Sequence, residues 1–292
     1  MASYKILSDS ACDLPADLLQ KYHIDLVPFY ITLNNGDYLK ENVELSHESF
    51  FSELSKSDTT IKTSLPAIND YVTAFEKHLK EGNNILCFCI SSTLSGSYQS
   101  AVNAAEILKE DYPNNDIIII DSMLATILQG FLVVQAAQML DEGLNISEIH
   151  EKLLRLRSET QVAFTLDSLD HLQRGGRIGK ASALIGTLLN IKPILTLTDG
   201  IITPLEKVRG RKKALNRISS IIADYIGNNQ EEYLISPIGF ESVQTSHEAW
   251  DNFVKNTGVT DLLCYTSLGA TVGAHVGPTA LGIACMKKYK YL

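Results

Sequence analysis

Cysteine is sparse and unpatterned in this chain: five residues, Cys12, Cys87, Cys89, Cys264 and Cys285, odd in number and scattered. None forms a C-x-x-C pair, and no Cys/His grouping has zinc spacing. A disulfide scaffold and a structural zinc site are therefore excluded, and a reducing, cytoplasmic setting with buried thiols is expected. The opening MASYKILSDS lacks a basic region followed by a long apolar stretch, so no secretory signal is expected. Repeats, low-complexity tracts and Pro/Ser linkers are absent. Long hydrophobic runs are absent too. Residues 123–140 carry no charge, but Thr126, Gln129, Gln135 and Gln138 interrupt them. Residues 262–286 are uncharged apart from His275, but hold Gly269, Gly273, Gly277, Pro278 and Gly282. A spanning helix needs about 20 mostly apolar residues. The first stretch reads as a buried helix, the second as a strand, a glycine loop, then strand or helix; stable membrane insertion is not expected. An excess of positive charge is also missing. The net charge of −9 argues against nucleic acid as the main partner.

What is present is globular. Hydrophobic residues make up 45% and charged residues 20% of 292 positions, enough for about two average domains without covalent staples. The halves differ in charge. Residues 1–160 hold 11 Lys/Arg against 23 Asp/Glu, a net of −12, while residues 161–292 hold 14 against 11, a net of +3.

The first half alternates strand and helix signals. Residues 4–8, 85–90 and 117–120 read as buried strands, and 24–33 as a further apolar run closed by the turn Asn34-Asn35-Gly36-Asp37. Asp13, ahead of Leu14-Pro15, is a candidate helix cap. Ser64 and Pro66 stand before a helix whose apolar positions, Ile68, Tyr71, Val72, Phe75 and Leu79, recur at helical spacing. Helices are also expected over 97–111, through the uncharged stretch, and over 147–157. Apolar strands separated by helices imply a parallel sheet covered on both faces. In the second half, 191–197 and 201–208 flank Thr198-Asp199-Gly200, a hairpin signal. A helix over 211–225 and strands over 232–238 and 261–266 follow. This is an α/β chain of two expected domains, 1–160 with a parallel sheet between helix layers and 161–292 with a mixed or antiparallel sheet.

Several segments could carry chemistry. Ser91-Ser92-Thr93-Leu94-Ser95-Gly96-Ser97 lies between a buried strand and a helix, at the carboxyl end of the strand, where open α/β sheets bind ligands. Its hydroxyls and the Gly96 amide suit an anion, although serine capping of the helix explains them equally well. Thr63-Ser64 is a second hydroxyl pair before a helix, Ser64 a candidate cap and Thr63 free to point elsewhere. Arg174-Gly175-Gly176-Arg177-Ile178-Gly179 sets two arginines about a glycine pair, suited to carboxylate or phosphate. It lacks the Lys-Ser/Thr of a P-loop, so nucleotide binding is weakly supported. Lys207, Arg209, Arg211, Lys212, Lys213 and Arg217 crowd six positive charges into 11 residues, a docking surface for an acidic partner or a solvated helix start. His275 is a lone histidine in a Gly/Pro loop, with no G-x-S-x-G elbow anywhere to make a hydrolase triad. Cys87 and Cys89 share one face of a strand and read as core thiols.

Taken together, the chain resembles the DegV family of fatty-acid-binding proteins, which includes the FakB-type subunits of bacterial fatty acid kinase. The motifs run in family order: SDSACDLP, KTSLPA, ISSTLSGSYQSA, LQRGGRIG, LNIKPIL, GIITPLEKVRGRKKAL and GAHVGPTALG. Ser97, Leu65 and Thr279 depart from the threonine, glutamine and glycine common there. The resemblance implies two α/β domains with a long acyl chain buried between them and a bacterial, cytoplasmic role in phospholipid metabolism. By the same resemblance Thr63, Ser95, Gly96 and His275 hold the carboxylate, Arg174, Ser64 and Ser92 support it, and Arg209 with Lys207 meets the kinase's catalytic subunit. No catalytic residue, metal or cofactor is implied, the fatty acid being the ligand. The alternative is an enzyme acting on an anionic small molecule, with RGGRIG as phosphate clamp and His275 as general base.

Overall fold

The computed structural model describes residues 3–56, 59–184, 190–240 and 244–292. The chain runs β1 (Tyr4–Asp9), α1 (Ala16–Lys21), β2 (Asp25–Val27), β3 (Tyr30–Leu33), β4 (Tyr38–Lys40), α2 (His47–Leu54), β5 (Ile61–Ser64) and α3 (Ile68–Leu79). It continues through β6 (Asn84–Cys89), α4 (Ser97–Leu108), β7 (Ile117–Asp121), α5 (Thr126–Asp141) and α6 (Ile146–Leu156). Strands β2-β1-β6-β7 form a parallel sheet in that order. Every residue of β6 is buried. Side chains alternate across a strand, so Ile85, Cys87 and Cys89 pack with Tyr71 and Phe75 of α3 and Ala101 of α4, while Leu86 and Phe88 face the core that holds α5. Burial pushes the Cys89 thiol upward, which makes it a core group and not a nucleophile.

The second half contributes β8 (Thr160–Thr165), α7 (Asp170–Arg174), β9 (Ile191–Thr198), β10 (Ile201–Arg209), α8 (Arg211–Ile226), β11 (Tyr233–Ile238), α9 (Thr245–Thr257), α10 (Ala270–Val276) and β12 (Leu281–Lys287). Its sheet, β10-β9-β8-β12-β11, is antiparallel at each pairing. The expected hairpin turns at Asp199 and Gly200, both at positive φ as a tight β-hairpin demands. One face of this sheet packs under α8 and α9 through Ala163, Ile194, Ile283, Trp250 and Phe253.

Helix α5 lies between the two sheets, touching β1 and β6 on one side and β11 and β12 on the other. That position explains a helix with no polar face. Its glutamines are the polar ties to each sheet. Gln129 donates to Ser8 Oγ (3.0 Å) and Asp9 Oδ1 (2.8 Å), and Gln135 donates to Lys287 O (3.1 Å) while accepting from Tyr289 N (2.6 Å). Among the described residues no helix is long and apolar enough to cross a membrane.

Four local expectations fail for physical reasons. The apolar run 24–33 is two strands in two sheets: β2 joins the parallel sheet and β3 the small sheet β4-β3-β5. Pro28 separates them, and its missing N–H breaks the ladder. Residues 261–266 form no strand; Leu263 N makes a single bond to Ile235 O, and Thr266 donates to Asp13 O. The expected glycine loop contains α10, because Gly273 serves close packing: a Cβ there would stand 2.9 Å from the Phe50 ring and 3.1 Å from Phe240. Neither expected cap operates. Pro15 precedes α1, and Ala67 precedes α3, its N–H donating to Asp70 Oδ2 (2.8 Å). Leu189, the first residue of the LNIKPIL motif, lies outside the described residues.

Candidate functional site

A cavity opens at the carboxyl end of β6, between the parallel sheet and the uncovered face of the antiparallel one. Its long wall is apolar. Val162 and Phe164 from β8, Leu197 from β9, Ile202 from β10 and Ile238 from β11 form one side. Ile90, Ala125, Leu128, Leu268 and Val272 form the other. Its polar lining comes from Thr63 and Ser64 at the end of β5, Ser95 in the loop before α4, Thr126 at the start of α5, Arg177, and Thr271 and His275 of α10.

Residues 212 apart in sequence meet there. Thr63 Oγ1 and His275 Nε2 are 2.9 Å apart. Burial, then Arg177, then His171 lower the His275 pKa to about 4, so the ring is neutral near pH 7. Its Nδ1 is buried without a partner. In the tautomer protonated at Nε2, the histidine donates to Thr63 and leaves the threonine proton free to donate into the cavity. Ser95 is set up the same way. Its Oγ accepts from Ser97 N (3.2 Å), so its own proton is available outward. Thr63 and Ser95 thus both line the cavity as neutral hydroxyl groups, a chemistry that can serve an anionic oxygen without a buried counter-charge.

Layers behind the site hold these groups. Asp9, of the SDSACDLP motif, is fully buried and accepts from Ile90 N (2.9 Å), Ser97 Oγ (2.7 Å) and Gln129, fixing both ends of the 90–97 loop. Burial raises its pKa to about 6 against those bonds. Glu41, also fully buried, accepts from Thr271 N (2.8 Å) and Thr271 Oγ1 (2.6 Å), gripping the start of the helix that delivers His275. Gly175 makes room for the ring, since a Cβ there would lie 2.1 Å from His275 Nδ1. The hairpin tip closes one flank: Thr93 Oγ1 (2.6 Å) and Ser91 Oγ (3.3 Å) donate to Gly200 O.

Thr63, Ser64, Ser95 and His275 all line this cavity, and Thr63 and His275 touch. Gly96 is exposed just outside that wall, at the start of α4. Ser92 is not brought in; it is exposed, with its amide on Asp121 (3.1 Å). Of the two arginines, Arg177 lines the cavity and Arg174 lines only a neighbouring hollow. Sequence reasoning passed over Arg177, Thr126 and Thr271 as cavity residues. Arg177 lay within a motif already singled out, whereas nothing in the pattern around Thr126 or Thr271 marks a lining residue. The family departures are absorbed locally. Thr279 Oγ1 accepts from Asp167 N (2.9 Å), Ser97 keeps its hydroxyl on Asp9, and Leu65 lies on the cavity wall.

The DegV family model matches residues 3–288. This chain belongs to the DegV family. A DegV domain-containing protein of Staphylococcus aureus is 32% identical over 279 residues, covering 95% of each chain. One from Clostridium perfringens is 34% identical over 288 residues, covering 97% of each. Among solved structures, a stearic-acid-binding protein from Eubacterium ventriosum superposes with a TM-score of 0.93 at 32% identity, covering 99% of this chain and all of that one. A fatty-acid-binding DegV protein from Thermus thermophilus gives 0.87 at 28% identity, covering 98% and 99%. DegV relatives of this fold therefore bind fatty acids.

Proposed function

We propose that this protein binds a long-chain fatty acid, as a non-catalytic carrier, with the acyl chain along the apolar cavity and the carboxylate at Thr63, Ser95, the Gly96 amide and His275. The observation that carries this reading is the cavity's lining: a mostly apolar wall that includes the neutral hydroxyls of Thr63 and Ser95 and a neutral His275. A sixteen-carbon acid desolvates about 15 carbons, on the order of 12 kcal/mol at ~0.8 per CH₂. Association and ordering remove several kcal/mol, and tight binding remains. The test is mass spectrometry of a denatured extract of the purified protein. A long-chain fatty acid near one per chain is expected; no fatty acid, together with no uptake of added palmitate, would sink the reading.

We further propose that the bound carboxylate is presented to a separate ATP-dependent fatty acid kinase. A carboxylate oxygen would bond to the γ-phosphorus of ATP as the bond from that phosphorus to the bridging oxygen breaks, ADP leaving and the acyl phosphate staying on the carrier. The basic stretch supports a docking role through its members unpaired among the described residues, which include Lys212 and Lys213, exposed at the start of α8. Arg211 is committed to Glu248 (2.6 Å) and Arg217 to Glu206 (2.5 Å). Lys207 and Arg209 are exposed on the edge strand β10 and form no ion pair among the described residues. Arg209→Ala is expected to keep palmitate affinity within about twofold and to cut acyl-phosphate formation with the kinase roughly tenfold, each tenfold being about 1.4 kcal/mol. Equal turnover would discard the docking surface.

A further inference from the structure

Three carboxyl groups lie buried together behind the cavity wall. Asp9 and Glu41 are fully buried and Asp13 is 7% exposed. Among the described residues no lysine, arginine or histidine forms an ion pair with any of them. Asp9 has donors on both oxygens. Glu41 has more: Ser10 Oγ (2.5 Å) and Thr271 Oγ1 (2.6 Å) donate to one oxygen, and Thr271 N (2.8 Å) to the other. Asp13 differs. Neither of its buried oxygens receives a hydrogen bond of good geometry, although Gly269 N and Thr126 Oγ1 are near.

Asp13 and Glu41 are neighbours. A Cβ on Gly269 would stand 2.5 Å from Asp13 Oδ1 and 2.7 Å from Glu41 Oε1, so both carboxyls crowd the same glycine. Two buried carboxylates this close, with no cation between them, repel, and one of them takes up a proton. The donors decide which. Glu41 has a donor for each oxygen and uses them best as a carboxylate. Asp13 lacks donors but, as an acid, has a proton to give and an anionic oxygen nearby to receive it. Burial and then the charge of Glu41 raise the Asp13 pKa well above the ordinary carboxylate range. The other ionisable groups around it are Asp9, raised by burial to about 6, and Cys12, a thiol that burial pushes up to about 12. Helices α5 and α10 bring Thr126 and Thr271 to the cluster, neither of them ionisable.

The pair joins distant parts of the chain. Glu41 holds Thr271 at the start of α10, and Thr266 donates to the Asp13 carbonyl. Helix α10 in turn sets Thr271, Val272, His275 and Val276 on the cavity wall. Resting on the fatty-acid reading above, we propose that Asp13 and Glu41 share one proton as an acid–carboxylate pair, and that this proton positions α10 for fatty-acid binding. Asp13 is a positioning residue, acting through Glu41 and Thr271 on His275. When the proton is lost, two adjacent buried charges push Asp13 and Glu41 apart, and the start of α10 loosens with them. Because the Asp13 pKa is raised in the folded chain, its contribution to stability is full below the ordinary carboxylate range and is lost as pH rises towards the raised value.

Asp13 holds a φ of 49°, in the left-handed region that asparagine tolerates better than most residues. Asp13→Asn therefore keeps the shape, removes the charge and puts an amide N–H in place of the acid O–H. Lipid-free wild type, Asp13→Asn and Glu41→Gln are unfolded with urea and titrated with a fluorescent fatty acid from mildly acidic to mildly alkaline pH. The ligand's own ionisation is common to all three, so differences between the proteins report the pair. Wild type is expected to lose stability towards alkaline pH and to bind roughly tenfold more weakly there than at neutrality, each tenfold being about 1.4 kcal/mol. Asp13→Asn is expected to stay within about twofold of wild type at neutral pH and to keep both affinity and stability at the alkaline end. Glu41→Gln, with one acceptor oxygen for three donors, is expected to bind roughly tenfold more weakly at every pH. Asp13→Asn with the same alkaline loss as wild type, or as damaged as Glu41→Gln at neutral pH, overturns the shared proton. An Asp13→Asn protein that does not fold overturns it too, since the site would then need the negative charge. Stabilisation of wild type, but not of Asp13→Asn, by added sodium, potassium or calcium ions places a cation where the proton is assigned and overturns it as well. Wild type that binds no fatty acid while showing the expected stability slopes overturns the fatty-acid reading and keeps the shared proton.

Discussion

A Thr63→Val, Ser95→Ala double variant is expected to bind palmitate on the order of a hundredfold or more weakly than wild type, since a hydrogen bond to a charged group contributes about 1.5–3 kcal/mol. Each single change should cost roughly tenfold or more. The two are not equivalent. Ser95→Ala removes one donor and frees Ser97 N, which sits at a helix start. Thr63→Val removes a donor and also strips His275 Nε2 of its partner, in a ring whose Nδ1 already has none. An imidazole buried with both nitrogens unpaired is costly, so Thr63→Val should also lower the stability of the lipid-free protein, and by more than Ser95→Ala, whose lost bond to Ser97 N is worth about 0.5–2 kcal/mol. Thr63→Ser keeps the hydroxyl and is expected to restore both properties. Titration with a fluorescent fatty acid, alongside urea unfolding, separates these effects. Wild-type affinity in the double variant would remove the carboxylate from this end of the cavity.

How much of this was legible in the sequence depends on the range of the interaction. Local patterns read well. The six-residue buried strand Asn84–Cys89, the uncharged helix and the Asp199-Gly200 hairpin each declare themselves through burial period or turn chemistry. Thr63 and Ser95 are named through the family resemblance; from spacing alone, helix capping accounts for the hydroxyls of the Ser91–Ser97 segment equally well. What could not be read is contact at long separation. That Glu41 holds Thr271, 230 positions away, leaves no trace in either segment's composition. That Gly175 exists to admit His275, and Gly273 to admit two phenylalanine rings, looks in sequence like loop flexibility. The same ambiguity hid α10, since glycines chosen for closeness and glycines chosen for freedom are the same residue. Which of Arg174 and Arg177 lines the cavity could not be read either: two arginines about a flexible pair differ only in where the turn sends them.

The apolar wall of the cavity makes the other large prediction, because on the fatty-acid reading its space belongs to the acyl chain. Ala280, 2% exposed, lies on the cavity wall just before β12. Phenylalanine there would grow into empty space that the acyl chain otherwise fills. Ordinary cores are close-packed, and overpacking them costs about 1–3 kcal/mol. A void inverts the sign, so lipid-free Ala280→Phe is expected to be as stable as wild type or more so. Palmitate binding should be lost, and with it the stabilisation that ligand confers: about 4 kcal/mol for wild type at a free concentration a thousand times Kd, and near zero for the variant. Short-chain acids that need only the Thr63–Ser95 end should still bind, weakly, in both proteins. Denaturant unfolding with and without palmitate reads the two quantities together. A variant that is strongly destabilised without lipid would mean the side chain has no void to enter. One that binds palmitate normally would mean the chain runs elsewhere, and either result would separate the hydroxyl cluster from the apolar wall that gives it a purpose.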